Sequence, residues 1–101
     1  MDLTTVKSIY RNTAAYANKE VTLGGWIRTM RVSKNFGFIE LNDGSFFKNI
    51  QIVFEAERLK NYEEISKQNV GAALIIKGLL VETPEAKQPF EVKATQIDVE
   101  G

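Results

Sequence analysis

Thirteen consecutive residues, Glu20 to Val32, run as one extended stretch around a pair of adjacent glycines. Val21, Leu23, Gly25 and Ile27 alternate with Thr22, Gly24, Trp26 and Arg28, the period of two of a half-buried strand. Two glycines in mid-strand weaken a straight strand. In a small barrel they do the opposite: they let one strand bend sharply and serve both sides of the closure. A closed, strand-built fold is therefore the architecture to test against the rest of the chain.

The remaining pattern fits it. Val6, Ile9 and Tyr10 fall at helical spacing after Thr4 or Thr5, a plausible N-cap, and predict a short first helix within 4–12. Thr13 to Lys19 reads as a polar connector. Phe36 to Asn42 is a second strand, followed by the turn signal Asp43-Gly44-Ser45. Asn49 to Phe54 is a third. Asn61 with Glu64 resembles a capping box opening a short helix with Tyr62 and Ile65, with Lys67 near its end and Gly71 just past it. Ala72 to Glu82 is a fourth strand, Thr83 to Pro89 a loop with two prolines, and Phe90 to Val99 a fifth strand. A mainly β chain is expected: a five-stranded OB-fold barrel with a short N-terminal helix and a helix between strands 3 and 4. An SH3-like barrel has no room for that second helix.

Composition bounds the chemistry. The 101 residues are 44% hydrophobic and 26% charged, a globular balance in a chain sized for one domain. With no Cys and no His, disulfides, Cys/His zinc sites, thiol nucleophiles and imidazole-based triads are excluded. No catalytic or metal-ligating constellation is visible. The longest wholly apolar run, Ala72 to Ile76, is far short of a membrane span. Met1-Asp2-Leu3-Thr4 carries no signal or transit pattern, so a cytoplasmic domain without a membrane partner is expected. Net charge is zero, which disfavours a non-specific nucleic-acid coat. Residues 1–49 carry +3 and residues 50–101 carry −3, which leaves room for a local basic patch.

The outward faces carry the functional signal. In the second strand Gly37, Ile39 and Leu41 face the core, so Phe36, Phe38, Glu40 and Asn42 face out. In the third, Ile50, Ile52 and Phe54 face in, and Asn49, Gln51 and Val53 out. In the fifth, Phe90, Val92 and Ala94 face in, and Glu91, Lys93 and Thr95 out. One surface thus collects Arg28 or Arg31, Phe36, Phe38 and Gln51, with Glu91 nearby once the barrel closes. An aromatic on a polar sheet face is well covered by an unpaired base, and such stacking contributes roughly 1–3 kcal/mol per base. Amides and carboxylates beside it can read base edges, and arginines can hold phosphates. The flanking loops supply Ser33, Lys34 and Asn35 on one side and Lys87 and Gln88 on the other. Taken singly, each residue has a plainer account: Phe36 or Phe38 packing on a helix or second domain, Arg28 and Arg31 solvated, Trp26 a packing residue. The joint pattern on one face favours the binding surface.

The series Gly25-Trp26…Arg31, Phe36-Gly37-Phe38-Ile39-Glu40-Leu41-Asn42-Asp43-Gly44-Ser45 and Ile50-Gln51-Ile52-Val53 resembles the N-terminal anticodon-binding domain of class IIb aminoacyl-tRNA synthetases. Asp43 to Phe47 and the tail from Gln88 to Gly101 resemble the asparaginyl members most. The resemblance covers essentially the whole chain. It implies that Arg31 contacts the anticodon stem-loop, that Phe38 stacks on the central anticodon base, that Gln51 reads that base, and that Glu91 reads the first. Arg28 and Lys34 are candidate phosphate contacts. Where the subgroup often has Leu-Arg-Asp this chain has Leu41-Asn42-Asp43, so Asn42 inherits no basic contact.

The domain layout expected is a helix and connector over 1–19 and a barrel over 20–99, with the catalytic domain absent. The resemblance implies a tRNA anticodon stem-loop as partner and no cofactor for this domain. It implies ATP, magnesium, asparagine ligation and a homodimer for the full-length enzyme, and a monomeric, non-catalytic domain in isolation. The alternatives are the same domain of an aspartyl enzyme, a free-standing single-stranded nucleic-acid binder, and a protein-docking OB domain using Phe36 and Phe38.

Overall fold

A computed structural model describes residues 3–86 and 88–100. The element order is α1 (Val6–Arg11), α2 (Thr13–Tyr16), β1 (Glu20–Val32), β2 (Phe36–Asn42), β3 (Ile50–Glu55), α3 (Tyr62–Ser66), β4 (Ala73–Glu82) and β5 (Phe90–Glu100). The strands close into a barrel in the order β1-β2-β3-β5-β4. All neighbours are antiparallel except β3 and β5, which close the barrel in parallel through Ile52–Val92 and Val53–Lys93.

The glycine pair lies where β1 changes partners. Glu20 to Trp26 pair with β4, and Trp26 to Val32 pair with β2. A Cβ on Gly25 would collide with the backbone carbonyl oxygen of Asn42, so only glycine lets β2 come this close at the corner. A bulge between Ile27 and Thr29 then inserts Arg28 as the extra residue and resets the side-chain phase. A second irregularity, between Lys77 and Gly78 against β5, shifts the phase after Ala94, so Ile97 rather than Gln96 enters the core.

The expected inward residues of β2, β3 and β5 are all buried, with Phe54 and Phe90 the largest side chains inside. Each such large side chain contributes roughly 1.5–3 kcal/mol on leaving water. Tyr62 and Ile65 of α3 join the core, and the Tyr62 ring packs 5.3 Å from Phe54. The Tyr62 hydroxyl donates to the Ser33 carbonyl at 2.7 Å, tying α3 to the β1–β2 loop.

Several expectations shift. Thr13 to Tyr16, expected as connector, forms one helical turn. Asn49 falls outside β3, because its carbonyl takes the Tyr10 hydroxyl at 2.8 Å and its amide is bonded to side chains of β2. β4 begins one residue later than expected and β5 ends one later. The capping box at Asn61 does not form: its amide donates instead to the Ile97 carbonyl at 2.9 Å and to Glu64 Oε1 at 3.1 Å, so it ties α3 to β5.

The cap of α1 comes from Thr5 and from a distant turn. Thr5 Oγ1 accepts from the Ser8 N–H at 3.1 Å. Asp43 Oδ2 accepts from the Val6 N–H at 2.9 Å and Ser45 Oγ from the Lys7 N–H at 3.0 Å. Three otherwise orphaned donors of the helix are thereby satisfied. Gly44 takes φ +80° between the two capping residues, a conformation that suits glycine. Among the described residues no helix is long and apolar enough to cross a membrane.

Candidate nucleic-acid interface

Strand register arranges the outward side chains of β1, β2, β3 and β5 into two rows. Arg31 lies opposite Phe38, Phe38 opposite Val53, and Val53 opposite Lys93. In the adjacent row Thr29 lies opposite Glu40 and Glu40 opposite Gln51. Gln51 Nε2 donates to Glu91 Oε1 at 3.3 Å, which extends that row to β5. Directly opposed side chains in a sheet stand about 4.5–5.5 Å apart at Cβ, so each row is a continuous surface.

The rows differ in charge. One carries cations at both ends, Arg31 and Lys93, with the aromatic Phe38 and the aliphatic Val53 between them. The other places the carboxylates Glu40 and Glu91 on either side of the Gln51 amide. A phosphate is attracted to the first row and repelled by the second; a base edge rich in N–H donors is suited to the second. A chain of zero net charge can therefore carry a local binding field.

The Arg31 guanidinium carbon lies 5.3 Å from the Phe38 ring centroid, within cation–π range. Phe36 meets Phe38 edge to face, centroids 5.4 Å apart and planes at 88°. Phe38 is half-buried by these neighbours and Phe36 is 45% exposed. Arg31, Val32, Ser33, Phe36 and Phe38 line an open cleft of about 160 Å³.

The Gln51–Glu91 bond uses one N–H of the amide and one carboxylate oxygen. The Gln51 carbonyl, its second N–H and the other Glu91 oxygen carry no hydrogen bond among the described residues. Glu40 is reached by a relay: the Gly44 N–H donates to Asn42 Oδ1 at 2.8 Å, Asn42 Nδ2 to Asn49 Oδ1 at 2.9 Å, and Asn49 Nδ2 to Glu40 Oε2 at 3.4 Å. Tyr10 titrates above the ordinary tyrosine value, first because it is desolvated and second because the Glu40 carboxylate is near.

Four of the residues singled out from sequence, Arg31, Phe38, Gln51 and Glu91, come together on this face. Sequence left Arg28 and Arg31 as alternatives for the outward arginine; Arg28 sits at the bulge and outside both rows, whereas Arg31 is in register with Phe38. Lys34 is exposed in the β1–β2 loop. Gln88 is in the β4–β5 loop, its carbonyl accepting from Thr83 Oγ1 at 2.8 Å; Lys87 lies outside the described residues. Sequence reasoning placed Glu40, Asn49 and Lys93 outward without assigning them to the site. Only strand register shows that Lys93 completes the Phe38 row. Trp26 is 38% exposed and lies against Gly44, a cover for the capping turn. Among the described residues no cluster of acidic, His or Cys side chains is placed to hold a metal ion.

Comparison with known proteins shows what the chain is similar to. The chain is 64% identical over 101 residues to an asparagine–tRNA ligase of Acetivibrio thermocellus and spans 22% of that protein's length. It is 65% identical over 101 residues to the asparagine–tRNA ligase of Desulfitobacterium hafniense, again 22% of its length. The crystal structure of asparaginyl-tRNA synthetase from Pyrococcus horikoshii complexed with asparaginyl-adenylate matches 98% of this chain and 22% of that one. Its TM-score is 0.84 at 18% identity, a likeness of fold. A family model for the OB-fold nucleic acid binding domain of the tRNA anticodon type matches residues 21–100, which take in the barrel and both rows of the interface. The chain belongs to the family of OB-fold nucleic acid binding domains.

Proposed function

We propose that this chain is the anticodon-binding domain of an asparaginyl-tRNA synthetase. The observation that carries the proposal is the in-register run Arg31–Phe38–Val53–Lys93 beside the hydrogen-bonded pair Gln51–Glu91. High identity to asparagine–tRNA ligases over the chain's full length supports it and favours the asparaginyl over the aspartyl reading.

The roles follow from side-chain chemistry. Phe38 stacks on the central anticodon base. Gln51 offers an amide carbonyl and an N–H on one plane, and uracil offers an N3–H donor beside a carbonyl acceptor, so the two pair through two hydrogen bonds. Glu91 is acceptor-only as a carboxylate, and guanine presents N1–H and N2–H as adjacent donors to it. These pairings suit G at the first anticodon position and U at the second. Arg31 holds phosphate, with Lys34 and Arg28 as further phosphate contacts from the loop and the bulge.

The chemistry of the whole enzyme, ATP- and magnesium-dependent ligation of asparagine to tRNA in a cytoplasmic homodimer, belongs to the remainder of such a protein. The 101 residues form one binding domain, without catalysis and monomeric in isolation. Titration against an RNA hairpin with G and U at the first two anticodon positions tests the proposal. Binding at least about tenfold tighter than to a random single strand of equal length supports it, and equal binding refutes it.

A further inference from the structure

We infer that Phe36 is a second stacking platform and takes the third anticodon base in the cleft it forms with Arg31, Val32, Ser33 and Phe38. The inference rests on the anticodon reading above. That reading puts the first base at Glu91 on β5 and the second between Gln51 on β3 and Phe38 on β2. The RNA then progresses from β5 through β3 to β2, and the next nucleotide arrives at the end of the sheet where β2 meets the β1–β2 loop. The next outward side chain there is Phe36, two residues before Phe38 on the same face.

Phe36 is suited to the task in three ways. It is a large apolar ring left 45% exposed at the rim of a polar face, an arrangement that costs solvation until something covers it. It is also held in place by its backbone. The Phe36 carbonyl accepts from the Ser33 N–H at 2.8 Å and from the Ser33 hydroxyl at 2.9 Å. Ser33 is held from the other side by Tyr62, and the neighbouring Asn35 carbonyl accepts from the Ala56 N–H at 2.9 Å. A platform fixed before binding loses little freedom on binding. Finally, Arg31 lines the same cleft while lying over Phe38, so one guanidinium can reach the phosphate that joins the second and third nucleotides.

The geometry adds a conformational consequence. The rings of Phe36 and Phe38 stand at 88°, so bases on the two platforms cannot form one continuous stack. The strand must turn sharply after the central base and splay the third away from it. Stacking reads no sequence, so Phe36 contributes affinity at the third position without selecting the base.

The test compares an anticodon hairpin with the same hairpin abasic at the third anticodon position. Wild type binds the intact hairpin about 5- to 150-fold tighter, the range expected for one stacked base. Phe36→Ala and Phe36→Leu bind both hairpins alike, at the weaker level; the leucine variant keeps the apolar packing, so a folding defect in the alanine variant leaves the test intact. With 2-aminopurine at the third position, its fluorescence is quenched on binding to wild type and not on binding to Phe36→Leu. An intact-to-abasic ratio unchanged by Phe36→Leu, while Phe38→Ala still weakens binding, overturns this inference alone. If Phe38→Ala and Gln51→Ala also bind the intact hairpin as wild type does, the anticodon reading fails and takes this inference with it.

Discussion

Gln51 on β3 and Glu91 on β5 are hydrogen-bonded at 3.3 Å across the parallel pairing that closes the barrel, 40 residues apart in the chain. The bond engages the amide through its Nε2 and leaves the side-chain oxygen without a hydrogen bond among the described residues. It also places an acceptor-only group beside a group that both donates and accepts, two different hydrogen-bonding chemistries on one surface. The two side chains proposed to read bases are thus positioned by the strand closure and not by a flexible loop.

Replacing Phe38 separates binding from folding. Phe38→Ala gives up edge-to-face packing with Phe36 and the cation–π interaction with Arg31 but opens no cavity in the core. Its stability falls by no more than about 1–2 kcal/mol, and its affinity for an anticodon hairpin falls by about 1–3 kcal/mol. Thermal melting and titration on the same sample check both. A collapse in melting temperature would make Phe38 a core residue.

The phosphate contacts proposed are Arg31 and Lys34. Replacing either with alanine weakens binding by a similar factor for all hairpins. It also flattens the dependence of affinity on salt, by about one unit of slope for each phosphate no longer neutralised. Titrations at a series of salt concentrations read the slope. A loss confined to particular anticodon sequences would assign these residues to bases.

Asp43 stabilises and does not read. Its carboxylate caps α1 from the far end of β2, so Asp43→Ala lowers stability by about 0.5–2 kcal/mol, the usual cost of removing a cap. Preference among hairpins is unchanged. Denaturant unfolding measures the first effect, and titration against hairpins of different anticodon sequence measures the second. Altered base preference would place Asp43 in the interface.

Tyr10 and Tyr62 are both held above the ordinary tyrosine value near 10, Tyr62 by burial and Tyr10 by burial and then by Glu40. A raised phenol pKa means the folded state prefers the neutral form. The stability this carries is fully present below about pH 10 and is lost as pH rises from there through the folded-state values. Stability measured from about pH 8 upward therefore falls beyond about pH 10, and Tyr10→Phe with Tyr62→Phe flattens that decline. An unchanged decline in the double variant would locate its cause elsewhere.

Much of the barrel is legible in the sequence because burial follows a period of two: Ile39 and Leu41, Ile50 and Ile52, Val92 and Ala94 all face the core as alternation requires. The outward positions of Phe38, Gln51 and Glu91 follow from the same rule. What alternation cannot show is where it breaks. The bulge at Arg28 decides between Arg28 and Arg31 as the partner of Phe38, and nothing local to Ile27-Arg28-Thr29 announces it. Contacts between distant segments are equally hidden. Asn61 has the local pattern of a helix cap but spends its amide on β5, and the turn at Asp43-Gly44-Ser45 looks like a simple reversal yet caps a helix 37 and 38 residues away. The row that joins Lys93 to Phe38 exists only because β3 and β5 close in one particular register.

The central claim is that Gln51 and Glu91 read different bases. Wild type, Gln51→Ala and Glu91→Ala are titrated against hairpins carrying G or A at the first anticodon position and U or C at the second. Glu91→Ala should lose about 1–3 kcal/mol of preference for G at the first position and keep the preference for U at the second; Gln51→Ala should do the reverse. Equal weakening of every hairpin by both variants would contradict the account, because the pair would then support the surface without reading it.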